Sequence, residues 1–135
     1  MEPIRSSLIL NKMYFDKLEF IRRGEKNSNE LRCAFEANIS TSKEDHYRVA
    51  LTLRGEKQDE YDLEMVLIGL FRIDTASEMK AEQKETIIRK NAIAILMPYL
   101  RSQLSIMTAQ PEVESQILPP MNIAKMFEEA QENRK

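Results

Sequence analysis

At 135 residues, with 42% hydrophobic and 31% charged side chains, the chain has the size and mix of one soluble globular domain that can bury a core. Twenty Lys plus Arg against twenty-two Asp plus Glu leave a net charge of -2, which excludes a bulk electrostatic grip on nucleic acid or on an anionic membrane. The single cysteine, Cys33, excludes an internal disulfide; with no signal-like segment and no run of about 18 apolar residues, a cytoplasmic protein without membrane insertion is expected.

The N-terminal half reads as strands. Residues 8–22 are apolar but irregular, since Met13 and Phe15 hold one parity and Leu18 and Phe20 the other, which predicts a bulge near Asp16-Lys17. Leu31, Cys33, Phe35, Ala37 and Ile39 then alternate with polar or small residues, the period-two pattern of a sheet with one wet face. Tyr47, Val49, Leu51 and Leu53 repeat it, as do Tyr61, Leu63, Met65 and Leu67. The polar clusters Thr41-Ser42-Lys43-Glu44-Asp45 and Gly55-Glu56-Lys57-Gln58-Asp59-Glu60 between these runs suit hairpin connections and an antiparallel meander. At the end of the last strand Val66, Ile68 and Leu70 are apolar opposite Met65, Leu67 and Phe71, so both faces need a cover, one of them from a second subunit.

Beyond Phe71 the period changes. Residues 80–107 contain no glycine, are rich in helix formers, and carry Ile88, Ala92, Ile95 and Tyr99 at three- and four-residue spacing, so a long helix is expected. Pro98 within it must bend or break it, because proline lacks the N–H that would bond the Ala94 carbonyl. Residues 110–116 read as a loop, and Ile123, Met126, Phe127 and Ala130 form the stripe of a short amphipathic helix with Asn122 as N-cap. Strands first and helices after give an α+β domain: an antiparallel four-stranded sheet, a long Pro-kinked helix and a short C-terminal helix packed on it.

Catalytic chemistry is scarce in this chain. His46 is the lone histidine and reads as a solvated residue at a strand edge; Cys33 shares the apolar parity of Leu31 and Phe35 and reads as a small buried hydrophobe. The glycines match no phosphate-binding loop, so neither an enzyme nor a cofactor is expected. Asp59, Glu60, Asp62 and Glu64 read as a solvated hairpin and strand face. Of eight methionines, Met65 and Met107 suit core packing, whereas Met97, Met121 and Met126 suit either a core or an adaptable apolar groove.

Two segments carry a more specific pattern. Leu96-Met97-Pro98-Tyr99-Leu100-Arg101, followed by Leu118-Pro119-Pro120-Met121-Asn122-Ile123 and a helix reaching Phe127, resembles the SecB family of tetrameric export chaperones over residues 91–127. The resemblance implies the SecB fold and an ATP-independent holdase for unfolded polypeptides, preproteins above all. It implies a client groove bordered by Met97, Leu118, Met121 and Phe127, and an oligomer interface built from Leu96, Pro98, Tyr99 and Arg101, to which the two-faced strand adds Ile68 and Leu70. Glu64, five residues before Gly69-Leu70-Phe71, is similar to an acidic residue that the family presents to the export motor ATPase. Two departures bear on that motor contact: the chain ends eight residues after Phe127, leaving little tail, and residues 80–90 are highly charged. A dedicated chaperone for one client such as an antitoxin, or an interaction protein on the same fold, are the alternative expectations.

Overall fold

A computed structural model describes residues 8–74 and 80–118. Four antiparallel strands, β1 (Leu8–Arg22), β2 (Leu31–Lys43), β3 (His46–Lys57) and β4 (Tyr61–Ile73), form one sheet in the order β1-β4-β3-β2. β2, β3 and β4 are the expected meander, while β1 pairs with β4. Residues 23–30 must therefore cross the ends of β4 and β3 to reach the far edge, and β1 and β2 are the two edge strands.

Hairpin chemistry explains the two tight connections. β2 and β3 turn at Glu44-Asp45, with Asp45 in the left-handed region at φ 59°; β3 and β4 turn at Gln58-Asp59-Glu60, with Asp59 at φ 63°. Aspartate tolerates this backbone better than most residues because its short polar side chain bonds locally. Gly55, Glu56 and Lys57, expected in the second turn, instead extend β3, since no glycine has a positive φ and Lys57 pairs across the ladder with Tyr61. The bulge expected near Asp16 is present as a register shift between Phe15 and Lys17, and a second shift lies between Leu10 and Lys12.

Period two sorts the sheet into its faces. Val49, Leu51, Leu53, Tyr61, Leu63, Met65, Leu67, Phe71 and Ile73 form the buried core, and the C-terminal helices cover it. α1 (Ala81–Ile87) runs through one π-helical turn (Ile88–Ala92) into α2 (Ile93–Thr108). Pro98 lies inside α2 and does not break it; the irregularity sits earlier, at the π turn. A π turn accommodates an extra residue and so rotates the face that follows. Ile88 and Ala92 are buried as expected, but the stripe continues through Leu96, Leu100, Leu104 and Thr108, leaving Ile95 half-buried and Tyr99 47% exposed. Lys84 anchors α1 to the first hairpin through Asp45, 2.7 Å away.

α2 seats on the sheet at Gly69, where a Cβ would lie 2.9 Å from a Leu96 methyl and 2.6 Å from the Phe71 ring. The chain then folds back along α2. Ser105 Oγ donates to the Gln116 carbonyl (3.1 Å), the Gln116 amide to Thr108 Oγ1 (2.8 Å) and Arg101 Nε to the Leu118 carbonyl (3.1 Å). Val113 and Leu118 thereby enter the core. The short helix expected from Asn122 lies outside the described residues.

Candidate functional site

Because α2 lies over the central strands, the edge strands keep part of their apolar side chains uncovered. On β2 the row Leu31, Cys33, Phe35, Ala37 and Ile39 packs against the core yet stays half-buried; on β1 the corresponding row is Leu10, Met13, Phe15, Leu18 and Phe20, with Leu18 48% exposed. Among the described residues neither edge has another strand beside it, so each presents main-chain N–H and C=O groups next to an apolar row. Such an arrangement offers an extended polypeptide hydrophobic contact and backbone hydrogen bonds together.

One end of this face is built around a buried ion pair. Lys57 Nζ lies 2.5 Å from Glu60 Oε1, with side chains 1% and 0% exposed. Residues 23–30 fold over them: Lys57 Nζ donates to the Asn27 carbonyl (2.7 Å), and the Asn27 amide donates to Glu60 Oε1 (2.8 Å). Burial pushes the Glu60 carboxyl upward, but the hydrogen bonds from Lys57 and the Asn27 amide outweigh it and hold the group below the usual carboxylate range. The expectation that Glu60 is solvated is thus corrected: the turn aims it inward, where only a cation and amides make a carboxylate tolerable.

Beside this pair Tyr61 stacks on Phe20, ring centroids 4.5 Å apart, and its hydroxyl is buried with no hydrogen-bond partner among the described residues. Burial, with Glu60, Cys33 and Glu114 nearby, pushes its pKa up to about 12. Burial likewise pushes the Cys33 thiol up, which keeps it protonated and a poor nucleophile. His46 Nδ1 lies 2.9 Å from the Glu44 carbonyl in the hairpin. Among the described residues no group of His, Cys, Asp and Glu could hold a metal ion, and no helix is long and apolar enough to cross a membrane.

The opposite face of the sheet carries a charge ladder across all four strands. Glu64 accepts from Lys17 on β1 (2.5 Å) and from Arg54 on β3 (3.1 Å), and Arg54 also reaches Glu36 on β2 (3.1 Å). Lys17's hydrogen bond is the largest influence holding the Glu64 carboxyl low, with Arg54 adding to it. Arg23 pairs with Asp62. Toward the far end Val66, Ile68 and Leu70 share this face with Tyr14, as the alternation requires; Ile68 is fully buried and Tyr14 38% exposed beneath the Lys12 ammonium.

The expected site residues therefore separate. Met97, on α2, and Leu118, in the segment after it, are both buried in the core cluster. Met121 and Phe127 lie outside the described residues. Leu96 is core, seated on Gly69; Pro98 and Tyr99 are exposed on α2, near Ile106; and Arg101 joins the two halves of the sequence pattern by binding the Leu118 carbonyl. The β2 row was legible as a strand face, but its incomplete cover depends on where α2 lands, which alternation does not encode.

Comparison with known proteins places the chain among relatives. The family model described as preprotein translocase subunit SecB matches residues 10–134. An uncharacterized protein of Methanocaldococcus jannaschii is 34% identical over 82 residues, 58% of this chain and 51% of that protein, so the chain spans about half the length of the curated relative it matches. The SecB-like chaperone of Mycobacterium tuberculosis, solved with a ChAD peptide from the HigA1 antitoxin, superposes with TM-score 0.63 at 14% identity, over 84% of this chain and 90% of that one. A protein of unknown function from Streptococcus agalactiae gives TM-score 0.48 at 12% identity, over 84% and 97%.

Proposed function

The chain belongs to the SecB family, and from that premise we propose that it is an ATP-independent holding chaperone for non-native polypeptides, preproteins for export among them. The observation that carries the reading is the half-covered row Leu31, Cys33, Phe35, Ala37 and Ile39 beside the open backbone of β2. Unfolded chains expose apolar segments and unpaired main-chain groups, and this edge meets both without reading sequence closely. Met121 and Phe127 are proposed to extend the same groove. Several weak sites on one assembly, engaged by one long client, supply the affinity.

Assembly into a homodimer or a dimer of dimers belongs to the proposal. Tyr99 and Ile106, 47% and 65% exposed on α2, are apolar surface for a second copy to cover, with Pro98 beside them. A cytoplasmic location belongs to the proposal, and the free Cys33 is compatible with a reducing compartment. An export motor docking at Glu64 would have to compete with Lys17 and Arg54, which that carboxylate already holds. A second reading, a chaperone dedicated to one client, is favoured by the antitoxin peptide bound to the mycobacterial relative.

The test is light scattering of a chemically unfolded client diluted into near-equimolar protein without nucleotide. Suppression of aggregation is expected, lost on Phe35→Ser with circular dichroism and native mass unchanged. No suppression for any of several unrelated clients, with protection of a single antitoxin, would replace the general holdase by the dedicated one. No effect on either would end the chaperone reading.

A further inference from the structure

Residues 23–30 read Arg-Gly-Glu-Lys-Asn-Ser-Asn-Glu and contain no apolar side chain, so hydrophobic burial cannot set the path of this crossover. Polar bonds must do so, and all of those to the β3–β4 turn converge on residues 57–60. The Arg23 and Gly24 amides donate to the Glu60 carbonyl (2.7 and 3.1 Å), and the Asn27 and Asn29 side-chain amides to the Gln58 carbonyl (2.9 and 2.8 Å). Both main-chain groups of Asn27 are held by the buried Lys57–Glu60 pair itself. Gly24 passes so close to the Asp59 carbonyl that a Cβ would overlap it.

A buried ion pair is a weak source of net stability, since well-packed apolar residues of similar volume often replace it without loss. What such residues could not do here is bind the Asn27 N–H and C=O. We infer that Lys57 and Glu60 are positioning residues: the pair fixes the crossover, and through it the end wall of the client-binding face. The position matters because the crossover leads directly into Leu31, first of the β2 row and the ladder partner of Lys57. At its other end Arg22 Nη2 reaches the Glu112 carbonyl in the segment after α2 (2.8 Å). The crossover thus spans from the apolar row to the loop that α2 releases. The second half of the inference rests on the client-binding reading; the first does not.

The experiment compares wild type with Lys57→Met/Glu60→Leu in urea unfolding, amide hydrogen exchange and release of a labelled unfolded client. The double variant is expected to unfold at the wild-type midpoint, to exchange the Arg23, Gly24 and Asn27 amides at least tenfold faster, and to release client several-fold faster. Wild-type protection of those amides in the double variant, or a loss of global stability that accounts for all the added exchange, would overturn the inference. Faster exchange with unchanged client release would overturn the positioning role in binding. If the double variant does not fold, Asn27→Pro is compared with Asn27→Ala, which loses the same side-chain bonds but keeps the amide that donates to Glu60; faster exchange at Arg23 and Gly24 in the proline variant than in the alanine variant supports the inference, and equal exchange overturns it. A wild-type protein that retains no client would sink the chaperone reading, and exchange would still decide whether the pair sets the crossover.

Discussion

Replacing Gly69 by alanine tests how the helix layer meets the sheet. No glycine in the described chain has a positive φ, so the backbone at Gly69 does not demand glycine; the demand is for space. An added Cβ would stand 2.6 Å from Phe71 Cε2 and 2.9 and 3.2 Å from the two Leu96 methyls, and both neighbours are buried, so they would have to shift within the core. Overpacking of this kind costs about 1–3 kcal/mol, and alanine recovers roughly 0.5–1 kcal/mol of the entropy that glycine loses in a strand. The net expectation is a loss of about 1–2 kcal/mol. At roughly 2.1 cal/mol/K per residue of unfolding entropy, that lowers the thermal midpoint by about 4–7 °C. Calorimetry of Gly69→Ala, Leu96→Ala and the double variant is the assay. Trimming Leu96 opens the space the new methyl needs, so the cycle should show coupling of about 0.5 kcal/mol or more. A midpoint that stays or rises in Gly69→Ala, or the same cost with Leu96 trimmed, would refute the claim that Leu96 docks on a bare backbone.

Two further outcomes follow from residues already placed. Glu60 and Glu64 are held below the usual carboxylate range, so the stability they contribute is complete above the unfolded glutamate value of about 4.3 and is lost as pH falls through their lower folded values. Urea midpoints measured from about pH 7 down to pH 2 should therefore drop in acid, and Glu60→Gln should flatten that drop; an unchanged slope would contradict the assignment. Pro98 is exposed inside α2 with no N–H for the Ala94 carbonyl, so Pro98→Ala should raise the free energy of unfolding measured in urea, by up to about 3 kcal/mol. A gain accompanied by a smaller native mass would show that the proline serves assembly.

Alternation made β2, β3 and β4 readable because each carries an apolar row on the core face of the sheet, and it located the bulge at Asp16, where the apolar parity changes. The same signal was present earlier, since Leu8 and Leu10 are even and Met13 and Phe15 odd, and it marks the register shift at Asn11. The helix face was misread by one position from Ile95 onward. A π turn leaves no mark in residue type, only in the packing that stabilises it. Glu60 was read as solvated and Lys57 as part of a hairpin connection, because charged residues in a turn usually face water; their burial depends on the crossover lying over them, a contact between segments some thirty residues apart in sequence. Met97 and Leu118 fit the family pattern by position; in the fold Met97 is buried on α2, and the fold-back held by Arg101, Ser105 and Thr108 carries Leu118 into the core.

The two sheet borders differ in a way that limits how copies of this chain can join. β1 is interrupted twice, at Asn11 and Asp16, whereas β2 runs from Leu31 to Thr41 in unbroken register with β3. Were both borders straight, β1 of one copy could lie along β2 of the next, and that head-to-tail contact would repeat without closing, giving a filament. A bulged strand cannot match a straight one hydrogen bond for hydrogen bond over its length, so this pairing is mismatched at every junction. A contact between like borders, related by a two-fold axis, uses that border on both copies and does not propagate through it. The irregularities of β1 thus act against open-ended growth along the sheet, since they deny a neighbouring copy a straight strand to extend.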